Sequence, residues 1–394
     1  MISAELQRML SAASDIRRLW DLGHELKRVH GADNVADLTL GNPILEPPEE
    51  LRRALVELVA DPPAGLHRYT PSAGVPEVRE RIAEHLDRRG LLPGARAEHV
   101  LVTSGAAAAC NVALRAVLDP GDEVLIPSPH FPDYPAHVRN HGGVPIRVPC
   151  TADHMLDLEA VERALGPWTR AIIVNHPNNP TGRQYPEGLL VELADVLRRG
   201  AARTGRPIYL ISDEPYRELR FTAEPFVSPA RLYEHGIMIY SFSKSHCIPG
   251  ERLGYLALNP AMPGGRELAA GLVLANRILG FVGAPSLWQH VVARCLDAAA
   301  DLAPLERHRR RLLEALAEKG YEVLPPDGAF YFFPRTPGGD DEAFVTAARE
   351  RLLLVVPGAS FGGPGHFRMA FCVDDRTIDL TLERLPEARS LERA

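Results

Sequence analysis

Lys244 is the residue whose position in the sequence most strongly indicates chemistry. The 394-residue chain contains three lysines, and Lys27 and Lys319 lie in amphipathic helical stretches among other charges, where solvated lysines belong. Lys244 instead follows the apolar run Ile237–Ser241, which is typical of a buried strand. An amine can lose its proton and form a Schiff base, whereas a guanidinium stays protonated. The sequence therefore predicts a covalent role for Lys244.

An acidic side chain and a rigid turn follow two other apolar runs. Asp213 ends the strand predicted at Ile208–Asp213, and a buried carboxylate there needs a cation to offset its desolvation. A structural arginine and a protonated ring nitrogen of a cofactor are both possible partners. The segment Asn175–Gly182 (NHPNNPTG) is a turn in which two prolines and a glycine fix Asn179. Such rigidity after a strand is typical of preorganised binding geometry.

Small residues and hydroxyls at two other positions offer a place for a phosphate. The segment Ser104–Ala109 (SGAAAA) follows a predicted strand, and small residues at a helix N-terminus leave the backbone N–H groups open to an anion. Ser241, Ser243 and Arg252 surround Lys244 and add two hydroxyls and a fork-shaped cation. Helix capping by the first serine is the alternative interpretation of the SGAAAA segment.

Alternating apolar runs and amphipathic helical patterns indicate the elements that position these groups. Strands are predicted at His99–Thr103, Glu123–Ile126, Pro145–Val148, Ala171–Val174, Ile208–Asp213 and Ile237–Ser241. Near-continuous aliphatic strands separated by helices predict an α/β fold with a mainly parallel sheet covered on both faces. Because ligands of such sheets bind beyond the carboxyl ends of the strands, the polar residues above are expected to share one cleft.

The length of the chain predicts two domains. The large domain is predicted at 46–284. A smaller α+β domain is expected from 1–45 together with 285–394, with its few strands in GAFYFFP, LLLVVPG and FRMAFCV.

Charge and cysteine content exclude several functions. The net charge of −7 gives no overall positive field for nucleic acid or an anionic membrane. The five cysteines are scattered without the short spacings of zinc sites or redox dithiols, so we expect no metal and a reducing compartment. The first 20 residues read as neither signal peptide nor membrane anchor, so a cytoplasmic location is expected.

A lysine for a Schiff base, an aspartate for a pyridinium nitrogen and a phosphate cup are what pyridoxal 5'-phosphate requires. Over essentially its whole length, the sequence resembles the fold-type I, class I/II pyridoxal-phosphate aminotransferases. The matching segments are LTLGNP, YTPSAG, SGAAAA, DPGDEVLIPSPHFPDY, NHPNNPTG, SDEPY, SFSKSHCIPGERLGY, GAFYFFP and GHFRMAF. The resemblance implies an aspartate-aminotransferase-like large domain with a seven-stranded sheet.

The resemblance also assigns roles around the cofactor ring. Lys244 would hold the cofactor as a Schiff base and shuttle protons, and Asp213 would pair with the ring nitrogen. Tyr216 and Asn179 would bond the phenolic oxygen of the ring, and Phe131 would stack on its face.

The phosphate and the substrate have their own implied residues. The phosphate cup would consist of Gly105, Ala106, Ala107, Ser241, Ser243 and Arg252. Tyr69 would join the cup from a second subunit, which implies a homodimer with shared active sites. Arg368 would clamp the substrate carboxylate, with Asn179 and the backbone of Gly41 beside it. Ala107 stands where some family members carry a lysine that binds an acidic side chain, so this feature does not support dicarboxylate specificity.

The expected activity is transfer of an amino group between an L-amino acid and a 2-oxo acid. A β-lyase, cyclase or oxidase reaction on the same fold remains an alternative, because the cofactor residues are common to these reactions. A non-catalytic pyridoxal-phosphate-binding regulatory module is the third alternative, and it is disfavoured because only 40 residues precede Gly41. His130, His246 and Cys247 depart from the usual family residues and are interpreted as packing behind the site.

Overall fold

Helices and short strands alternate along the chain. The computed structural model describes residues 2–3, 6–7 and 15–391. The strands are β1 (Ala36–Asp37), β2 (Val100–Thr103), β3 (Glu123–Ser128), β4 (Val144–Pro149), β5 (Thr169–Asn175), β6 (Tyr209–Asp213), β7 (Gly236–Ser241), β8 (Gly254–Leu258), β9 (Tyr331–Phe332), β10 (Leu353–Leu354), β11 (Val356–Pro357) and β12 (Phe367–Ala370).

The α-helices cover the sheets and form the outer layers. They are α1 (Asp15–His30), α2 (Glu49–Ala60), α3 (Pro76–Arg88), α4 (Ala106–Val117), α5 (Tyr134–Arg139), α6 (Leu158–Ala164), α7 (Glu187–Thr204), α8 (Pro229–Leu232), α9 (Phe242–Ser245), α10 (Gly265–Ile278), α11 (Ser286–Ala293), α12 (Ala303–Glu318), α13 (Asp341–Glu350), α14 (Asp375–Arg384) and α15 (Ala388–Leu391).

A seven-stranded sheet forms the centre of the larger part of the molecule. Its strand order is β2-β8-β7-β6-β5-β3-β4. The neighbouring pairs from β7 to β4 are parallel, whereas β8 runs antiparallel to both β2 and β7. The α/β class with a mainly parallel sheet is therefore confirmed, and each of the six predicted strands is present. Strand β8 was not predicted, because the strands were identified by their alternation with helices. β8 is antiparallel to β7 and needs no crossover helix between them.

Alternate residues of the strands face two different hydrophobic cores. Ile173 of β5 and Ile239 of β7 pack with α4 on one face. Ile172 and Val174 of β5 pack with α7 on the other face. Burial on both faces explains why these strands are aliphatic at successive positions rather than at every second one.

A smaller unit packs beside the large sheet. Strands β1 and β10 pair in parallel, and β11, β12 and β9 form an antiparallel sheet. Its core is rich in phenylalanine, including Phe330, Phe332, Phe367 and Phe371, and it includes residues of α12, α13 and α14. The three segments predicted to carry the strands of this part do carry them.

The domain boundary predicted at 284/285 stays a prediction. Val291 and Val292 of α11 pack with Leu51 and Val78 against the large sheet. Leu305 of α12 belongs to the core of the smaller unit. We therefore propose that the second boundary lies between α11 and α12. In the part of the chain that the structure describes, no helix is long and apolar enough to cross a membrane.

Candidate active site

A cleft of about 300 Å³ opens beyond the carboxyl ends of the parallel strands. It contains most of the predicted site residues: Gly41, Ala106, Ala107, Phe131, Asn179, Asp213, Tyr216, Ser241, Ser243, Lys244, Arg252 and Arg368. A larger surface cleft of about 670 Å³ lies between α2, α3 and residues 293–298, and it contains none of the predicted site residues. The expectation that one cleft gathers the polar strand ends is borne out by this geometry.

Lys244 projects into the cleft from the short helix α9. Ser241 caps this helix, because its Oγ accepts a hydrogen bond from the backbone N–H of Ser243 at 3.2 Å. The Lys244 Nζ donates to the carbonyl oxygen of Gly41 at 2.5 Å. Burial lowers the pKa of Lys244 to about 8. A substantial fraction of the amine is therefore unprotonated at slightly alkaline pH, as nucleophilic attack on a carbonyl requires.

Asp213 stands at the end of β6 with one oxygen bonded and one free. The Tyr134 hydroxyl donates to Oδ2 at 2.5 Å. Asn175, the last residue of the neighbouring strand β5, is paired with Asp213 in the sheet. The other oxygen, Oδ1, is buried without a hydrogen-bond partner among the described residues. Burial raises the pKa of Asp213 to about 6, and the hydrogen bond from Tyr134 opposes this rise.

The environment of Asp213 decides between the two partners that the sequence left open. The chain supplies a phenol, Tyr134, rather than an arginine to the bonded oxygen. Asp213 lines the same cleft as Lys244 and has an oxygen without a partner, so a protonated ring nitrogen fits beside it. The residues present thus fit pyridoxal phosphate.

Arg368 of β12 is buried between two aromatic rings. Its Cζ lies 4.6 Å from the ring centres of both Tyr331 and Phe361. Its NH1 group donates to Asn179 Oδ1 at 3.1 Å and its NH2 group to the Thr39 carbonyl, both neutral acceptors. Its Nε is buried and has no hydrogen-bond partner in the described ranges. A buried guanidinium that meets only neutral acceptors is suited to an anionic ligand such as a carboxylate.

The predicted phosphate residues meet at the N-terminus of α4. Gly105, which precedes this helix, has a φ of 85°, and a Cβ there would lie 2.9 Å from Arg252 NH2. Only glycine fits this position without strain. Ser241 Oγ donates to Ser243 Oγ at 2.9 Å, so both hydroxyls face each other beside the helix start. Gly105 itself does not line the cleft but lies next to the Arg252 guanidinium.

Tyr216 and Gly41 meet at a tyrosine that the sequence analysis did not assign. The hydroxyls of Tyr216 and Tyr331 lie 3.0 Å apart. A Cβ on Gly41 would lie 1.9 Å from the Tyr331 hydroxyl, so a side chain at this position is excluded. The Asn179 backbone N–H donates to Asn175 Oδ1 at 2.7 Å, which fixes the turn. The shared contact of Tyr216 and Asn179 with the cofactor oxygen stays a prediction.

Phe131 and Tyr69 differ in their surroundings. The Phe131 ring lines the cleft and meets the Tyr134 ring edge-on, with 5.5 Å between centroids. Tyr69 is 96% exposed and lies outside the cleft, on the loop that precedes α3. Its predicted place in the site of a second subunit stays a prediction.

Sequence reasoning missed several residues of the cleft wall. These are Leu40, Cys110, Tyr134, His137, Asn175, Pro215, Pro249 and Tyr331. Tyr134 and Asn175 lie inside the segments PHFPDY and NHPNNPTG, in which the sequence analysis assigns Phe131 and Asn179 to the site. A polar side chain so close to a predicted ligand was the available signal.

Comparison with known proteins identifies the family. The family model for aminotransferases of class I and II matches residues 33–385. The chain belongs to this family. It is 35% identical over 386 residues to an aspartate/prephenate aminotransferase of Thermus thermophilus, covering 94% of each chain. It is 28% identical over 365 residues to a probable N-acetyl-LL-diaminopimelate aminotransferase of Bacillus subtilis, covering 90% of this chain and 88% of the relative.

Solved structures agree with this assignment. An aminotransferase from Eubacterium rectale superposes with a TM-score of 0.94 at 34% identity over the whole of both chains. The aspartate aminotransferase of Thermus thermophilus with maleate superposes with a TM-score of 0.86 at 31% identity, over 98% of this chain and 99% of that one. The protein is a pyridoxal-phosphate-dependent aminotransferase, and the expected activity is confirmed at that level.

Proposed function

We propose that Lys244, Asp213 and Arg368 divide the work of amino transfer in this cleft. The observation that carries the proposal is that one cleft holds an amine of lowered pKa, a carboxylate with a free buried oxygen and a guanidinium with a free buried nitrogen. Pyridoxal phosphate, when bound, supplies the electron sink for the bond that breaks at the substrate α-carbon.

Asp213 would hold the ring nitrogen of the cofactor protonated. Its free Oδ1 would accept a hydrogen bond from the protonated nitrogen, and the hydrogen bond from Tyr134 stabilises the negative charge on Oδ2. The pKa of this carboxyl, raised to about 6 by burial, falls when a cation binds beside it. The pair therefore stays ionised at neutral pH.

Lys244 Nζ is the group that moves the proton. Its amine lies in the cleft with a pKa lowered to about 8, so it takes up and releases a proton near working pH. The Gly41 carbonyl, which accepts from Nζ at 2.5 Å, holds the amine at the side of the cleft where the N-terminal segment passes.

Arg368 orients the substrate. A carboxylate that enters the cleft would receive two parallel hydrogen bonds from the guanidinium, and the flanking rings of Tyr331 and Phe361 keep the guanidinium plane fixed. Gly41 leaves room for the Tyr331 ring that flanks the guanidinium, since any side chain at position 41 would collide with the Tyr331 hydroxyl.

We propose that the substrate side chain is uncharged. Within the described part of this chain, the lysine and arginine side chains of the cleft wall are Lys244, Arg252 and Arg368, and the proposal gives each of them another partner. Ala107, Leu40 and Phe131 add apolar surface to the wall. Some relatives are named for aspartate and prephenate, so this preference is a difference in specificity rather than in reaction.

The test is a single half-reaction with the cofactor-loaded protein. L-amino acids with apolar, aromatic and acidic side chains are added separately, and the matching D-isomers serve as controls. We expect conversion of the bound cofactor to its amine form with one equivalent of 2-oxo acid, fastest for uncharged side chains. Release of ammonia would instead indicate a lyase or oxidase reaction. Faster conversion with aspartate than with all uncharged amino acids would refute the side-chain preference.

A further inference from the structure

Arg217 lies at the centre of a buried polar network behind the cleft. Its NH2 group donates to the Tyr255 hydroxyl at 2.6 Å, and its Cζ lies 3.8 Å from the centre of the Tyr240 ring. Its NH1 group lies 3.5 Å from a carboxylate oxygen of Glu214, the residue that follows Asp213. Arg217 and Glu214 are both buried. These contacts fix the Tyr240 ring between the strand ends and the turn after β6.

A chain of hydrogen bonds leads from Tyr240 to the residue that follows Lys244. The Tyr240 hydroxyl donates to Ser245 Oγ at 2.6 Å. Ser245 Oγ lies 2.9 Å from His246 Nδ1, and His246 Nε2 lies 3.0 Å from the Cys295 carbonyl oxygen. All these side chains are buried.

The direction of every hydrogen bond in this chain follows from its last acceptor. The Cys295 carbonyl can only accept, so His246 Nε2 carries a proton and donates it. Burial lowers the pKa of His246, so the ring is neutral and Nδ1 is an acceptor. Ser245 therefore donates to Nδ1 and accepts from Tyr240. Ser245 Oγ thus accepts one hydrogen bond and donates another, and both ring nitrogens of His246 have a partner.

The short helix that bears Lys244 needs such an anchor. Helix α9 has four residues, Phe242–Ser245, which is too short for its own backbone hydrogen bonds to hold its direction. Ser245 is the last residue of α9 and the next after Lys244. The hydrogen bonds at Ser245 therefore bear on the direction in which the Lys244 side chain leaves the helix.

We propose that Tyr240, Ser245 and His246 are positioning residues that hold Lys244 at its place in the cleft, with Arg217 bracing the Tyr240 ring. This inference rests on the proposed role of Lys244. It also gives His246, which departs from the usual family residue, a defined hydrogen-bonding function.

A matched pair of tyrosine variants tests the proposal. Tyr240 and Tyr255 are paired across β7 and β8, both are buried and both contact Arg217, but the hydroxyl bond to Ser245 comes from Tyr240. Tyr240→Phe removes that hydroxyl and keeps the ring, and Tyr255→Phe is the control.

The decisive readout is the midpoint of the pH-dependent absorbance change of the bound cofactor in the loaded enzyme. The groups with the largest electrostatic effect on Lys244 are Cys372, Arg368, Arg252 and Cys247. Asp213, Tyr134, His137, Tyr216 and Tyr331 line the same cleft, and all these groups are unchanged in both variants. We expect Tyr240→Phe to move the midpoint by at least about half a pH unit and to lower kcat about tenfold with little change in KM. Tyr255→Phe loosens Arg217 but keeps the hydrogen bond from Tyr240 to Ser245, so it should move the midpoint by less than Tyr240→Phe does.

Ser245→Ala provides a second and independent variant. It removes the acceptor of the hydrogen bond from Tyr240 and the donor to His246 Nδ1, so it should move the midpoint at least as far as Tyr240→Phe, and the double variant should add nothing to Ser245→Ala. Equal midpoints in Tyr240→Phe, Tyr255→Phe and the unmodified enzyme would overturn the positioning role. Cofactor attached to a lysine other than Lys244 in the unmodified enzyme would overturn the proposed function itself, so the two failures are distinguishable.

Discussion

At the scale of single residues, the site consists of buried polar groups whose partners are incomplete. Asp213 Oδ1 and Arg368 Nε both lack a hydrogen-bond partner in the described chain. An unpaired buried polar group costs about 1–3 kcal/mol, and more when it is charged. A ring nitrogen and a substrate carboxylate would complete these two groups, which explains why the fold tolerates them.

Arg368→Lys should lower kcat/KM for every amino acid by a similar factor. An ammonium cannot form the two parallel hydrogen bonds of a guanidinium, and the expected loss is on the order of 2–4 kcal/mol of transition-state binding. The cofactor spectrum should not change, because Arg368 lies away from the phosphate cup. Steady-state kinetics across the amino-acid panel measures this, with Arg335→Lys at an exposed arginine as control. A loss that varied strongly with the substrate side chain would contradict the assignment.

Asp213→Asn should stabilise the cofactor-free protein above pH 6. The pKa of Asp213 is about 6 in the folded chain and 3.8 as its ordinary value, so the folded state binds the proton more tightly. The free energy of unfolding therefore falls as the pH rises from about 4 to about 6, and asparagine removes this fall. The difference at pH 8 should be on the order of 3 kcal/mol.

Urea unfolding of the two cofactor-free proteins across that pH range measures the effect of Asp213→Asn. Equal pH dependence in both proteins would show that the carboxylate is not desolvated. Loaded with cofactor, the variant should abstract the substrate proton far more slowly in a single turnover, since the ring nitrogen has lost its anionic partner.

At the scale of elements, strand ends and one helix start bring the site together. β5, β6 and β7 end at Asn175, Asp213 and Ser241, and α4 begins next to Gly105. Because the parallel strands end at one edge, residues far apart in the chain become neighbours.

Gly105→Ala should weaken cofactor binding about tenfold or more. The backbone of Gly105 has a φ of 85° and a ψ of 175°, which costs a residue with a side chain about 1–3 kcal/mol. The new Cβ would also displace Arg252 from the helix start. Equilibrium titration with pyridoxal phosphate measures the change. Gly188→Ala, at an exposed position of α7 with nothing within 4 Å of the added atom, is the control and should bind as before. Unchanged affinity in Gly105→Ala would refute the phosphate cup.

Most elements of the large sheet could be predicted from the sequence, but β8 and α10 could not. The strands around Ile172 and Ile239 have enough aliphatic residues in a row to stand out. β8 has five residues and α10 follows it closely, so neither element stands out in the hydrophobic pattern of the sequence. Whether such a short apolar run joins a sheet depends on the neighbours that the fold supplies.

Some residues of the candidate site could likewise be predicted from the sequence, whereas the contacts between them could not. Asp213 and Lys244 could be found because Asp213 ends an apolar strand and Lys244 lies three residues after another, where a charged group is unusual unless it has a function. The Tyr134 hydroxyl reaches Asp213 across 79 positions, and Tyr331 reaches Tyr216 across 115 positions. Those contacts depend on how α5 and β9 pack, and no local pattern encodes that packing.

At the scale of the whole molecule, two packing units share the cleft. Lys244 and Asn179 follow strands of the large sheet, whereas Arg368 lies on β12 of the smaller unit. The hydrogen bonds from Lys244 to Gly41 and from Arg368 to Asn179 connect the two units directly across the cleft. A ligand that displaced either hydrogen bond would remove a direct connection between the two units.

A mixed dimer tests whether the site is shared between two chains. We propose a homodimer in which the exposed Tyr69 reaches the phosphate of the partner site. If so, a dimer of one Tyr69→Phe chain and one Lys244→Ala chain contains one site free of both changes and recovers activity. Differently tagged chains, purified as the mixed species, allow this assay, and each parent homodimer is the control. A monomer in solution, or no recovery in the mixed species, would contradict the shared site.

The most direct test of the account is the identity of the lysine that carries the cofactor. The loaded protein is reduced with borohydride, digested and mapped by mass spectrometry, and only three lysines compete. Lys27 is paired with Asp37 at 2.6 Å and Lys319 with Glu387 at 3.6 Å, whereas Lys244 donates to a neutral carbonyl. We predict the label on Lys244 alone, with loss of label and of turnover in Lys244→Ala. A label on Lys27 or Lys319 in the unmodified protein would contradict the account.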